Sequence, residues 1–309
     1  MKNGNYHEPV LVHEVLEGFN LTAPLKKKVQ IIDATLGTGG HTLAMLGAGS
    51  LVLGIEADKD MLEITERRLR KACLPAEVSV KAGYKSLIIV QGNFRNLDVM
   101  ASENGIKEVD GVLYDLGVSN LQLTSESRGF SFSNPQAKLD MRIDPVSQGI
   151  TGAILLNSLR KDQLIKLFTK LLDLSSSKWL AKRVLEKRDE KPIDTVGDML
   201  EICKGLRSKP SLHQATLPFL TVRMAVNSEL ENLQDSLPKA FKLVKTGGVI
   251  QVITFHSCEE KIVLDFFKDM ERKSLANVSG PIIPSRQEVI ENPRSRGSEL
   301  FLLFKLKNK

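Results

Sequence analysis

The sequence predicts an α/β fold: an open, mainly parallel sheet with helices on both faces and a small helical domain inserted after the fourth strand. Three observations carry that expectation. The first is Gln30-Ile-Ile-Asp-Ala-Thr-Leu-Gly-Thr-Gly-Gly-His41, where an apolar run ends in Asp33, a glycine turn follows, and Thr42 to Leu46 opens a helical pattern. The second is a series of further apolar runs, each closing on a polar or aromatic residue: Glu56, Phe94, Asp115 and His256. The third is a helical stretch, Thr151 to about Ser211, that interrupts the strand series.

In chain order, His7-Glu-Pro-Val-Leu11 leads into a short amphipathic segment, with Val12, Val15, Leu16 and Phe19 at near-helical spacing. Lys26-Lys-Lys28 is a basic turn, read as solvated charge. Val29 to Ile32 is the first buried strand, ending in Asp33. In the turn Gly37-Thr38-Gly39-Gly40 the glycines let backbone approach a ligand closely, at φ values a Cβ would forbid. Strand, glycine turn and helix together form the entry to a Rossmann-like nucleotide-binding sheet. A dinucleotide fingerprint wants Gly or Ala three residues after the second glycine. Thr42 stands there, which disfavours hydride chemistry with a nicotinamide.

Leu51-Val-Leu-Gly-Ile-Glu-Ala-Asp58 is the second strand and its exit. Glu56, at its end, is placed to accept hydrogen bonds from ribose hydroxyls. Glycine turn and acid together suggest an adenosine ligand without a pyrophosphate, such as S-adenosylmethionine. Asp60 to Ala72 is a surface helix, with Pro75 beyond its end. Ser86 to Phe94 is the third strand and its exit, with Phe94 placed to stack on an adenine or to join the core. Val109-Asp-Gly-Val-Leu-Tyr-Asp-Leu-Gly-Val-Ser119 is the fourth strand and its mouth. Ligands of open parallel sheets bind outside the carboxyl ends of the strands. Asp33, Glu56, Phe94 and Asp115 are therefore expected to converge on one crevice.

Leu121 to Asp144 is long, polar and poor in periodicity, as functional or disordered segments are. Its Arg128, Phe130, Phe132 and Arg142 suit phosphate contact and stacking on an extruded base. Two phenylalanines pinning a loop to the core account for it equally well. In the helical stretch, Ser177 to Glu190 is basic enough to lie along RNA, although interspersed acids favour a solvated face. Asp194 or Thr195 can cap a helix from Val196 to Leu206. His213 to Leu237 reads as a single helix with Arg223, Asn227 and Glu229 as polar exceptions. Leu243 to Gly248 is a turn into the fifth strand, Val249 to Phe255, with His256-Ser257 at its mouth. A helix, Glu259 to Met270, and a closing strand, Glu299 to Leu306, complete the chain.

The 309 residues suffice for one large or two small domains, and 42% hydrophobic residues can furnish a core. Lysine and arginine number 43 against 37 acids, a net charge of +6, which permits a nucleic-acid partner without demanding one. Cys73, Cys203 and Cys258 are far apart and form no C-x-x-C pair, so neither a metal site nor a disulfide framework is expected. Cys258 stands beside His256, but no third orienting group completes a thiol nucleophile. No run reaches the roughly 18 apolar residues of a membrane span. No signal peptide is visible, so a cytoplasmic protein is expected.

The ordered blocks resemble the bacterial 16S ribosomal RNA cytosine-N4 methyltransferases, the RsmH (MraW) family, over nearly the whole chain. They include His7-x-Pro-Val-Leu, Asp33-Ala-Thr-Leu-Gly-Thr-Gly-Gly-His41, Asp110 to Ser119, Gln122-Leu123, Arg128-Gly-Phe-Ser-Phe132 and Leu139-Asp-Met-Arg142. Arg223, Val226-Asn227, Glu229-Leu230, Phe255-His-Ser257 and Asn292-Pro-Arg-Ser-Arg296 continue the match. The resemblance implies a class I methyltransferase sheet, S-adenosylmethionine as cofactor, and a target cytidine in the decoding centre of the small subunit.

It places cofactor contacts at Gly39, Gly40, His41, Glu56, Phe94, Asp115 and Gln122, to which the strand and glycine turn add Asp33 and Gly37. Of the candidate catalytic residues, Asp115 is expected to place the cofactor, with Ser119, Asn120 and His256 near the reacting base. Arg128, Phe130, Arg142, Asn227, Ser257 and Arg294 are expected at the RNA. The core would comprise 1–123 and 213–309, with 124–212 as an inserted, mostly helical RNA-recognition domain. The partner would be small-subunit rRNA or a 30S-like particle, with a homodimer left open. The family's Asp after the second strand is Glu56 here, and its His-Pro-Ala-Thr-Arg block reads His213-Gln-Ala-Thr-Leu217. Two rivals stay open: a methyltransferase of another nucleic acid or a protein, and a non-catalytic ribosome-assembly factor on the same fold.

Overall fold

The computed structural model describes residues 8–24, 27–72, 86–125, 127–208 and 212–307. His7, Lys26, Cys73 and Pro75 lie outside them. The chain forms two compact units, 1–119 with 230–309, and 120–229.

Along the chain the first unit begins with α1 (Val12–Gly18), β1 (Gln30–Asp33), α2 (Gly40–Gly47), β2 (Leu51–Glu56) and α3 (Lys59–Ala72). It continues with β3 (Leu87–Gln91), α4 (Leu97–Glu103) and β4 (Val109–Asp115). The second unit holds α5 (Asn120–Thr124), α6 (Gly152–Ser158), α7 (Lys161–Phe168), α8 (Leu174–Glu190), α9 (Val196–Cys203) and α10 (Thr216–Val226). The first unit then resumes with α11 (Glu229–Leu243), β5 (Val244–Thr254), α12 (Ser257–Arg272), β6 (Ala276–Ile282), α13 (Arg286–Glu291) and β7 (Glu299–Lys305).

The seven strands run in the order β3-β2-β1-β4-β5-β7-β6. The first five are parallel; β7 is antiparallel to both β5 and β6. Strand side chains alternate between faces, and each face here is apolar. On one, Ile32, Leu53, Val112, Tyr114 and Ile250 pack with Leu97 of α4, Leu237 of α11 and Phe267 of α12. On the other, Ile31, Val52, Leu113, Val249 and Leu302 pack with Val15 of α1 and Met45 of α2. Burial on both faces explains why the parallel strands read as continuous apolar runs.

The structure corrects two expectations and adds a strand. The single helix expected over 213–237 is two, because Asn227 ends α10 and Ser228 turns left-handed, at φ 49°, before α11 begins. The fifth strand starts at Val244 rather than after Gly248, with an irregular register against β4. The added strand, β6, lies in a stretch to which the sequence assigned no element.

In the second unit Thr195, rather than Asp194, caps α9: its Oγ accepts from Asp198 N–H at 3.2 Å, and the Asp198 carboxylate accepts from Thr195 N–H at 3.0 Å. The segment between α5 and α6 has little regular structure but is closed by defined bonds. Arg142 grips Asp140 through Nε (2.6 Å) and Nη2 (2.8 Å), and its Nη1 donates to Pro145 O and Gln148 O. Asn227 accepts from Ile143 N–H at 2.8 Å and donates to Met141 O at 2.8 Å.

Candidate active site

The carboxyl ends of β1, β2 and β4 place Asp33, Glu56 and Asp115 at one edge of the sheet. Asp33 is 1% exposed and looks into the turn: its carboxylate accepts from Thr42 Oγ1–H at 2.6 Å and from Thr35 N–H at 3.3 Å. Thr42, read from sequence only as a mismatch to the dinucleotide pattern, is therefore the strut of this turn. Burial pushes the Asp33 carboxyl above its ordinary range despite these donors.

The turn is shaped by left-handed backbone at Gly37 (φ 50°) and Gly39 (φ 76°). Space matters as well: a Cβ on Gly39 would stand 3.0 Å from Leu69, and one on Gly40 would stand 2.9 Å from Pro9. Glu56 closes the turn from β2. Its Oε2 accepts from Gly37 N–H at 2.9 Å and its Oε1 from Asp58 N–H at 2.8 Å. Each oxygen keeps a second lone pair for a ligand hydroxyl. Burial, against those two N–H donors, pushes the Glu56 carboxyl up to about 7.

His41 opens α2 beneath the turn. Its Nε2–H donates to Val10 O at 2.8 Å, and its Nδ1 lies 3.4 Å from Asp115 Oδ2. Burial lowers its pKa, favouring the neutral ring, in which Nδ1 is the unprotonated nitrogen. The Asp115 N–H donates to Thr35 Oγ1 at 2.6 Å, but its Oδ1 has no hydrogen-bond partner among the described residues. Burial, then the charge of Glu259, pushes the Asp115 carboxyl up to about 7. Its side chain keeps 23% of its surface open, so a ligand can reach it. Phe94, on the turn after β3, packs edge-on to Tyr114, with ring centroids 5.6 Å apart. It remains half-buried.

Beyond β4, Ser119 Oγ lies 3.8 Å from Met61 Sδ. His256 caps α12: its Nδ1 accepts from Glu259 N–H at 3.4 Å, and its Nε2 lies 3.2 Å from Glu259 Oε1. Glu259, missed at the sequence level, is 3% exposed and also accepts from Phe255 N–H at 2.9 Å. A histidine followed three residues later by a glutamate is the signal that could have exposed this pair. Ser257 and Arg294 are exposed on the same unit. Asn120 and Gln122 belong to the second unit, where Asn120 begins α5 and Gln122 is buried on it.

Arg128, Phe130, Arg142 and Asn227 are in the second unit as well. Arg128 Nη2 donates to Arg142 O and Ile143 O, each at 2.8 Å. Phe130 is 7% exposed, with the Arg128 guanidinium over its ring at 5.4 Å. Phe132 packs edge-on to Phe219, with centroids 4.7 Å apart.

The strand-end carboxylates suit a cationic adenosine ligand. Glu56 offers acceptors to ribose hydroxyls, and the unpartnered Asp115 Oδ1 is a buried acceptor awaiting a donor or a positive charge. Strand order, antiparallel β7, glycine turn and acid at β2 together define a class I S-adenosylmethionine-dependent methyltransferase. Comparison with known proteins narrows this. The model of the MraW methylase family matches residues 4–306, and the chain belongs to that family. Among its relatives is the ribosomal RNA small subunit methyltransferase H of Methylacidiphilum infernorum, 38% identical over 97% of this chain and 94% of that protein. The proteins of that name from Dictyoglomus thermophilum and Thermotoga neapolitana are 35% and 37% identical, covering 95% and 97% of this chain, 95% and 96% of theirs.

Proposed function

We propose that this enzyme methylates the exocyclic N4 amine of a cytidine in small-subunit ribosomal RNA, at the decoding centre, in the cytoplasm. The observation that carries the reading is whole-length likeness to relatives named for small-subunit ribosomal RNA methylation. The cytidine and its position follow from the resemblance of the motif blocks. No helix among the described residues is long and apolar enough to cross a membrane.

Bound S-adenosylmethionine supplies an electrophilic methyl group on a sulfonium. The chain's residues have two tasks. The first is to hold that cation, through Glu56 on the ribose, Phe94 beside the adenine, and the charge of Asp115 nearby. The second is to orient an amine whose lone pair is delocalised into the cytosine ring. An acceptor aimed at the amine N–H favours the pyramidal nitrogen that attacks. Ser119, Asn120 and His256, in the segments that leave β4 and β5, are the candidates for holding the base. Prealigned, partly dry electrostatics of this kind supply a large part of such rates. The nitrogen becomes strongly acidic only as it is methylated, so water can take the proton.

Arg128, Phe130, Arg142, Asn227, Ser257 and Arg294 are proposed to serve RNA binding. For Arg142, Asn227 and the buried Phe130 that service is indirect, by holding the loop before α6 in shape, so the stacking on a base expected of Phe130 is not proposed. The deciding experiment is nucleoside mass spectrometry after incubation with small subunits, naked ribosomal RNA, DNA and protein. N4-methylcytidine in the subunit or RNA arm is expected. Label confined to DNA or protein would overturn the reading, and no transfer in any arm would favour an assembly factor.

A further inference from the structure

Glu288, on a short helix far along the chain, is bonded to the N-terminal segment that covers the glycine turn. Ser285 caps α13, its Oγ accepting from Glu288 N–H at 3.1 Å. A glutamate three residues after such a cap ordinarily folds back onto the cap's own N–H. Here Oε1 reaches instead to Leu11 N–H at 2.7 Å, a contact spanning 277 residues of sequence. Asn292, just past α13, makes a second tie, its Nδ2 donating to Glu8 O at 3.0 Å.

Leu11 needs such an anchor. It is fully buried yet left-handed, at φ 54° and ψ 34°, a conformation a bulky side chain rarely takes. Backbone strain of this kind persists only where the surroundings over-determine it, and it gathers at functional sites. The neighbours show what the strain maintains. Val10 O is the acceptor that fixes His41 as the Nε2–H tautomer, with Nδ1 turned to Asp115, and Pro9 lies against Gly40. A histidine's tautomer is set by the bond its other nitrogen makes.

We propose that Glu288 is a positioning residue for the cofactor site: by anchoring Leu11 it holds Val10 against His41, and through them the face His41 presents to Asp115. This rests on S-adenosylmethionine binding at the strand ends, not on which nucleotide is methylated. The role belongs to the hydrogen bond and its reach rather than to the charge.

A crossed pair of variants separates these. Glu288→Asp keeps the charge and loses the reach; Glu288→Gln keeps an oxygen within reach and loses the charge. Calorimetry on the full chain with S-adenosylmethionine and no RNA should give about tenfold weaker binding for Glu288→Asp, the scale of one lost hydrogen bond, and binding within about twofold of wild type for Glu288→Gln. Nitrogen NMR of His41 should report lost Nε2–H tautomer in Glu288→Asp alone, a change that general loosening would not produce. Turnover at saturating donor should be within about twofold of wild type in both. Wild-type affinity in Glu288→Asp, equal loss in both variants, or an unchanged His41 signature would each overturn the proposal. A wild-type chain that fails to bind S-adenosylmethionine overturns the cofactor reading together with it.

Discussion

Glu56 carries a pH signature. Its folded pKa lies near 7 against an ordinary 4.5, so the cofactor-free fold retains a proton that the unfolded chain releases. A raised acid stabilises the fold fully below 4.5 and loses that contribution as pH climbs through about 7. Melting temperature without cofactor should therefore fall across that interval, by an amount on the order of 3 kcal/mol of stability for this group alone. Glu56→Gln should flatten the trend, and an unchanged slope would mean that other groups set it. Hydroxyls donate more strongly to a carboxylate than to an acid. Cofactor affinity should therefore rise with pH through the same interval, which calorimetry at several pH values can check. Asp115→Asn removes charge while keeping the backbone bond to Thr35. It should cost about 1.5–3 kcal/mol of cofactor affinity, the scale of a hydrogen bond to a charged group. The strand-end placement of Glu56 and Asp115 was legible in the sequence because each ends an apolar run. The bonds that Arg142 and Asn227 make within the loop were not. A guanidinium or an amide satisfies a carbonyl as readily as a phosphate, and sequence does not say which stands nearby.

At the scale of elements, the loop before α6 separates two effects that its composition blends. Phe130 is buried, so Phe130→Ala should lower melting stability by about 3–5 kcal/mol. Any loss of RNA affinity should follow that destabilisation. Arg142→Ala removes the donors to Asp140, Pro145 and Gln148, and should loosen the loop while leaving cofactor binding intact. Measuring melting and the salt dependence of RNA binding on the same proteins decides the matter. A salt slope reduced by about 1 in Arg142→Ala, with melting unchanged, would assign it a phosphate instead. The continuous apolar runs of β1, β2 and β4 and the helical spacing of α3 were readable as such. The β6 strand was hidden because Asn277, Ser279, Gly280 and Pro281 carry turn chemistry, and only the pairing of 276–279 and Ile282 with β7, across an irregularity at Gly280 and Pro281, makes a strand of it. The break between α10 and α11 was hidden because Asn227 and Ser228 sit inside an otherwise unbroken helical pattern.

For the whole molecule, a net charge of +6 spread over 43 bases and 37 acids predicts shallow, salt-sensitive attraction to RNA rather than tight non-specific binding. Naked ribosomal RNA should lose affinity steeply with added salt. An assembled small subunit, if it is the true substrate, should resist the same salt because shape supplies the rest. The position of β7 carries a consequence of another kind. The strand β7, synthesised after both, lies between β5 and β6 and pairs with each. Until it emerges from the ribosome, β5 and β6 each present an open ladder edge, the kind of surface that recruits other chains. The second unit, contiguous at 120–229, has no such dependence and can form during translation. A message cut short after Ser298 should therefore yield not a slightly weakened enzyme but a nascent chain that aggregates around a folded insert. Limited proteolysis of that product should release the insert intact.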